Sequence, residues 1–391
     1  MRRIDRCIIV LVLFFCLDRT LKLLAVWHFF RRSAPKQPAI WPSVTLLQPI
    51  TRGVSGLQPT LNSRLAVDYP APMQYLLICD EHDSFNQQIC RDTSAAHPLA
   101  DVHVVIVPAV RGSIASKIEK LHAATPLATG EILVFLDDDV ALRRDGLRHM
   151  LPYLAEPRAG AVFGLACYTS WCNLWSSAMS GFVNANALLS YIPLTYLAEP
   201  WTITGHCFAL QRRVFERIGG LADMTNRIDD DHELARRVSA AGLRNLQTPM
   251  IYDVNNDLPT LRAYLNQMHR WFVFPRLHML PQLSRRQQTV LFIGGVGNLL
   301  PSVVLLLVLW SRSRRAWAGF AVGLTAFAGG YVWGERRYLG RTTPWQRLAV
   351  VLAVAVVAPA QIMWGLLMGD EIVWRGQRLN IKRGGIGEVV Q

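Results

Sequence analysis

Residues 131–140 read EILVFLDDDV, and this stretch decides the fold class. Ile132 to Leu136 is an unbroken apolar run, the pattern of a strand buried on both faces in a parallel sheet. It ends in three consecutive carboxylates, Asp137, Asp138 and Asp139. In open α/β sheets, ligands bind beyond the carboxyl ends of the strands. Carboxylates crowded there repel one another unless a positive charge lies between them. A hard divalent cation such as Mg2+ does this, taking one or two carboxylates plus phosphate oxygens. An acidic β-turn, or an N-cap for a helix over residues 141–151, accounts for the same residues without a ligand.

Upstream, residues 44–47, 75–79 and 102–107 are further short apolar runs, with helix-compatible stretches at 86–96 and 113–124. Strands alternating with helices imply βαβ units and a parallel sheet. Each run stops at a polar loop: Gln48-Pro49, then Asp80-Glu81-His82-Asp83, then Pro108 and Arg111, then the three aspartates. Four strand ends on one rim define a candidate site.

Downstream, residues 161–210 are rich in aromatics (Trp171, Trp175, Phe182, Tyr191, Tyr196, Trp201), a pattern of core packing or of one wall of an apolar acceptor pocket. Thr204-Gly205-His206 predicts a turn before a strand at 207–210. Residues 227–242 predict a helix opening on Asp229, Asp230 and Asp231. Carboxylates in a first turn complement the helix dipole, but three exceed what capping requires. Residues 259–280 predict an amphipathic helix suited to a membrane interface. Within it, Gln267, Arg270 and Trp271 fall at i, i+3 and i+4 and share one face.

With 391 residues, 51% hydrophobic and 18% charged, the chain is too apolar for a purely soluble protein and too charged for a purely membrane one. Residues 7–30 predict an N-terminal anchor interrupted by Asp18, Arg19 and Lys22, with Asp18 and Lys22 spaced to pair. Residues 289–310 and 348–368 are long enough to cross a bilayer, and 316–333 is marginal. Three crossings would place the tail after Asp370 opposite the soluble domain. The expected domains are an anchor and basic linker at 1–36, a catalytic domain at 37–285, and transmembrane helices with a basic tail at 286–391. The net charge of +13 raises nucleic acid as a partner. Its arginines instead flank the hydrophobic segments, as anionic headgroups would select, so the expected partner is the lipid bilayer and not nucleic acid. Seven scattered cysteines give neither a zinc site nor a disulfide framework.

In order, the polar motifs are DEHD at 80–83, DDD at 137–139, DDD at 229–231 and QMHRW at 267–271. This series resembles the D, D, D, (Q/R)xxRW signature of membrane-bound family-2-type glycosyltransferases. VTLLQPITRG at 44–53, Asp68-Tyr69-Pro70, Cys79 before its acidic cluster, Thr204-Gly205 with Gly219-Gly220, and Trp374-Arg375 with Arg383-Gly384-Gly385 resemble the ceramide glucosyltransferase-like branch. The resemblance spans nearly the whole chain. It implies an α/β GT-A fold (a Rossmann-like mixed or parallel sheet) with an N-terminal hydrophobic anchor and C-terminal transmembrane helices.

It also implies an inverting enzyme facing the cytoplasm, with a UDP-sugar donor and a membrane lipid acceptor. Carried over by motif, Asp80 or Asp83 would contact the uridine, and Asp137 and Asp139 would hold Mg2+ or Mn2+ against the diphosphate. Asp231, with Asp230 as rival, would be the general base. Gln267, Arg270 and Trp271 would brace the diphosphate and acceptor, with Lys117 and Arg111 as further phosphate candidates. Gln48 stands where that branch usually has lysine, and Asp-Asp closes the third motif where Glu-Asp is common. A processive polysaccharide synthase shares the four motifs but usually carries more transmembrane helices. Hopanoid or sterol acceptors, and a non-catalytic membrane-tethered scaffold, are the remaining alternatives.

Overall fold

The computed structural model describes residues 3–54, 56–108, 116–374 and 377–390. The chain divides into two compact units. One comprises Met1–Arg32, Cys167–Ala198 and Asn256–Asp370, and the other Ser33–Ala166, Glu199–Asn255 and Glu371–Gln391.

The second unit is built on an eight-stranded sheet. Its strands are β1 (Val44–Pro49), β2 (Met73–Asp80), β3 (Asp101–Val107), β4 (Ile132–Leu136), β5 (Val140–Ala141), β6 (Ala159–Tyr168), β7 (Cys207–Gln211) and β8 (Arg244–Val254). Their order is β3-β2-β1-β4-β7-β6-β8-β5. β1 pairs in parallel with β2 and β4, and β2 with β3, whereas β4–β7, β6–β7 and β5–β8 are antiparallel. The sheet is therefore mixed, a parallel half joined to an antiparallel half at β4. β1 and β4 are buried along their whole length, as their continuous apolar runs require. At the seam Phe135 stacks on Phe208, ring centroids 4.7 Å apart, inside a core shared with Leu133, Phe163 and Leu234.

Helices α2 (Leu57–Leu65), α3 (Ser84–Ala96) and α4 (Ser116–Ala124) lie in the connections of the parallel half. The four upstream strands and the one at 207–211 fall where expected. β6 and β8 were not anticipated, because small residues and an internal Pro249 break both periodicities. No helix occupies 141–145 either: Val140 and Ala141 pair with β8, and a short helix begins only at Gly146.

In the other unit, α1 (Arg3–Arg31) is one continuous helix, so the charged interruption does not break it. Asp18 pairs with Arg19 at 2.6 Å and Lys22 at 3.3 Å. Arg19 also donates to Asn298 Oδ1 (2.7 Å), and Lys22 to Gly294 O (2.9 Å), so the charges are buried but satisfied. Asn298 and Gly294 lie on helix Arg285–Ser311. Among the described residues, two helices are long and apolar enough to cross a membrane, Arg285–Ser311 and Trp345–Leu367.

The tail forms an antiparallel meander, β9 (Glu371–Trp374), β10 (Gln377–Lys382) and β11 (Ile386–Val389). It belongs to the sheet unit, where Gly387 N–H donates to Asn226 O at 3.0 Å. The chain leaves that unit after Asn255 and rejoins it at Glu371.

Candidate active site

β4 delivers the first acidic motif. Asp137 N–H donates to His206 O at 2.9 Å, and Val140 N–H returns to Asp137 O at 3.3 Å, closing a turn through Asp138 and Asp139. Asp138 is structural in its contacts: Oδ2 accepts Thr51 N–H, and its carbonyl accepts the Thr60 hydroxyl at 3.0 Å. Asp139 differs. Its Oδ1 is buried without a hydrogen-bond partner, and burial, with Asp137 and Asp138 beside it, pushes its carboxyl up to about 8 against the pull of Arg64.

Arg64 lies beneath this turn, fully buried. Its guanidinium donates to Val140 O (3.1 and 2.9 Å), to Asp137 O, and to Gln48 Oε1 at 2.7 Å. Burial lowers it to about 10, opposed chiefly by Asp138 and Asp139. Gln48, in the position where lysine is usual in the ceramide glucosyltransferase-like branch, is itself buried and serves as an acceptor for Arg64. A lysine there would set two cations against each other.

The third acidic motif opens helix Asp230–Ala240. Lys117, on the first turn of α4, joins it to the first: Nζ lies 2.8 Å from Asp137 Oδ1, 3.0 Å from Asp230 Oδ2 and 3.4 Å from Gly205 O. Burial pulls the ammonium down, but Asp137 and Asp230 outweigh it and raise it above its ordinary value. Asp230 is pushed up by burial against the pull of Lys117. Asp231 is pushed up to about 7, first by burial and then by Asp230, with Lys117 opposing. Asp231 Oδ1 accepts His232 N–H at 2.7 Å, while Oδ2 faces Gly205, where an added Cβ would sit 3.0 Å from it. Only glycine gives the Thr204–His206 turn this approach to the carboxylate.

Two strands away, β2 ends at Asp80, whose Oδ1 accepts His82 N–H at 2.9 Å. Asp83 caps α3, accepting from Asn86 N–H (3.3 Å), Asn86 Nδ2 (2.8 Å) and Gly53 N–H (3.0 Å). Burial opposes ionisation of Asp83, but these donors hold it below the usual carboxylate range. Asp83 is thus committed to its cap, and Asp80 is the less engaged of the two.

Gln267, Arg270 and Trp271 are half-buried on helix Leu261–Phe274 of the other unit, where the Trp271 ring meets Tyr168 edge-on, centroids 6.4 Å apart. Arg111 and Arg375 lie outside the described residues.

Among the described residues, no three His, Cys, Asp or Glu side chains form a ready metal cage. The donor set at the β4 turn does fit an ion that takes carboxylates on one side and substrate oxygens on the other. Asp139 Oδ1 is the orphaned buried oxygen such an ion would satisfy.

The model of glycosyl transferase family 21 matches residues 7–386. The chain belongs to this family. As a family 21 glycosyltransferase it transfers a sugar from a nucleotide sugar, and the ceramide glucosyltransferase-like resemblance of its motifs is in accord. No curated protein matches it.

Among solved structures, this family 21 chain is similar to the mannosyltransferase PcManGT from Pyrobaculum calidifontis in complex with GDP-Man and Mn2+. The TM-score is 0.53 and the identity 20%, over 92% of this chain and 99% of that one. GalNAc-T7 with UDP, GalNAc and Mn2+ is more distant, with a TM-score of 0.42 and 12% identity over 66% of this chain and 55% of that one. The first likeness shows the GT-A fold.

For this glycosyltransferase the structure brings Asp137, Asp230 and Lys117 into direct contact, with Asp231 one residue on. Arg64 carried no sequence signal of its part, because an arginine in LNSRL reads as an ordinary helix residue; Gly205 was visible as part of a motif, but its approach to Asp231 was not.

Proposed function

We propose that this family 21 enzyme transfers glucose or a similar hexose, with inversion, from a UDP-sugar to the hydroxyl of a membrane lipid such as ceramide. The observation that carries this reading is the Lys117 bridge, which unites the acidic turn after β4 and the acidic start of helix Asp230–Ala240 at the carboxyl end of a central strand. Asp231 is the general base. The residue is half-buried, and its raised proton affinity matches the working range of a base. It takes the proton of the acceptor hydroxyl as the new bond to the sugar's C1 forms and the C1–O bond to the diphosphate breaks. UDP leaves with the electron pair and needs no proton. Asp230 is held by Lys117, which assigns it to positioning rather than to proton transfer.

Asp137 and Asp139 are the residues that would hold a divalent cation, Mg2+ or Mn2+, and the Mn2+ in the similar mannosyltransferase structure is in keeping with one. When bound, such an ion supplies Lewis-acid neutralisation of the departing diphosphate. Asp80 contacts the uridine, while Gln267, Arg270 and Trp271 brace the diphosphate and acceptor, Arg270 by charge-assisted hydrogen bonds. We assign residues 1–36 to an anchor and linker, 37–285 to catalysis, and 286–391 to membrane helices and the tail. The catalytic side is cytoplasmic.

The test is incubation of membranes containing the protein with radiolabelled UDP-sugars, followed by separation of lipid from polymer. Label in a small glycolipid supports this function. Label in high-molecular-weight glycan would make the protein a polysaccharide synthase, and nucleotide binding without transfer would make it a scaffold.

A further inference from the structure

Lys117 is usually the kind of residue assigned to solvent or to a phosphate, yet here its three N–H bonds are all directed at protein oxygens. They face Asp137 Oδ1, Asp230 Oδ2 and Gly205 O, and the side chain is only 16% exposed. The charge lying between the two acidic motifs therefore belongs to the chain itself. It sits on the same Asp137 carboxylate that the proposed function assigns to a divalent cation. Asp139 Oδ1, the other assigned ligand atom, is meanwhile buried without a partner. An ammonium and a dication cannot share one carboxylate without strong mutual repulsion.

We propose that Lys117 is an internal counter-ion that competes with the divalent cation for Asp137 and couples cation binding to nucleotide binding. Before donor and cation arrive, it neutralises Asp137 and Asp230 and keeps the two motifs together. When the cation takes Asp137, the ammonium retains Asp230 and turns its freed N–H toward the incoming diphosphate. Cation binding alone then leaves that N–H without an acceptor, whereas cation and nucleotide together satisfy it. Each ligand consequently tightens the other, as reciprocal linkage requires. Lys117 is a positioning residue in this scheme, and the scheme rests on the proposed roles of Asp137 and Asp139.

Direct Mn2+ binding to the full chain in detergent tests this, read from the electron paramagnetic resonance signal of free Mn2+ with and without UDP. The wild-type protein binds Mn2+ weakly alone and more tightly with UDP. Lys117→Met removes the competitor, so Mn2+ alone binds tighter by roughly tenfold or more, a modest fraction of one contact charge. The enhancement by UDP shrinks correspondingly. Lys117→Arg keeps the charge and stays near wild type. If Lys117→Met does not fold, Lys117→Gln, which keeps a donor without the charge, carries the same expectation.

Mn2+ affinity that is unchanged or weaker in a folded Lys117→Met protein overturns the proposal, as does the absence of Mn2+ binding in wild type and variant alike. Because binding is read without turnover, failure of lipid glycosylation would remove the acceptor assignment while leaving this result standing.

Discussion

Replacing Asp231 by Asn keeps the size of the side chain and its hydrogen bond from His232 N–H but removes the proton acceptor. A positioned general base contributes roughly 10²- to 10⁴-fold, equivalent to about 3–5 kcal/mol of barrier, so kcat should fall within that range. The structure adds a pH signature. Burial and the charge of Asp230 push the Asp231 carboxyl up to about 7, with Lys117 opposing. A base works only when deprotonated, so wild-type kcat/KM should rise with pH up to about 7 and level off above it. Each unit below that midpoint costs about tenfold. The assay is transfer from a radiolabelled UDP-sugar to ceramide in mixed micelles across pH 5–9, with UDP affinity measured in parallel. In Asp231→Asn the rising limb should vanish along with the activity, while UDP affinity changes little. Near-normal turnover, or an unaltered acid limb in the variant, would refute the assignment and move the base elsewhere.

Three other outcomes follow from particular contacts. Arg64→Met leaves the carbonyls of Val140 and Asp137 and the Gln48 amide oxygen without their buried donor. It should destabilise the sheet unit by about 3–5 kcal/mol, seen as a lower unfolding midpoint, and an unchanged midpoint would deny Arg64 its structural part. Gly385, at φ 76°, leaves no room for a Cβ, which would sit 2.7 Å from Asp229 Oδ2. Gly385→Ala should therefore disturb the start of helix Asp230–Ala240 and lower kcat by about tenfold with little change in donor KM, whereas wild-type kcat would show that the tail does not support the site. EDTA should abolish transfer, and Mg2+ or Mn2+ should restore it. Full activity in EDTA would leave Asp137 and Asp139 with only their turn.

The chain's local chemistry was enough to read its parallel half. Short apolar runs, each ending in a polar loop on one rim, read as strands; those of β1 and β4 are covered on both faces, whereas β3 at the sheet's edge is half-exposed. The order of four motifs along the chain was likewise visible, because it is a property of the sequence alone. The antiparallel half was less legible: β6 is rich in glycine and alanine, and β8 mixes polar residues with Pro249, so neither shows a clean period. The acidic turn after β4 admitted a helix cap as well as a turn, and only the pairing of Val140 with Val254 decided between them.

What tertiary structure alone decided is which charges meet. Asp83 and Asp80 look alike in DEHD, yet one is consumed by capping α3 and the other is not. Arg64 looks like a routine helix residue until folding buries it against Gln48 and the Asp137 carbonyl, and Lys117, a phosphate candidate along the chain, is instead held between Asp137 and Asp230. The return of the tail to Asp229 is equally invisible along the chain. Hydrophobic period is written residue by residue and survives in a one-dimensional reading. The pairing of buried charges depends on burial and distance, and neither exists until the chain has closed on itself.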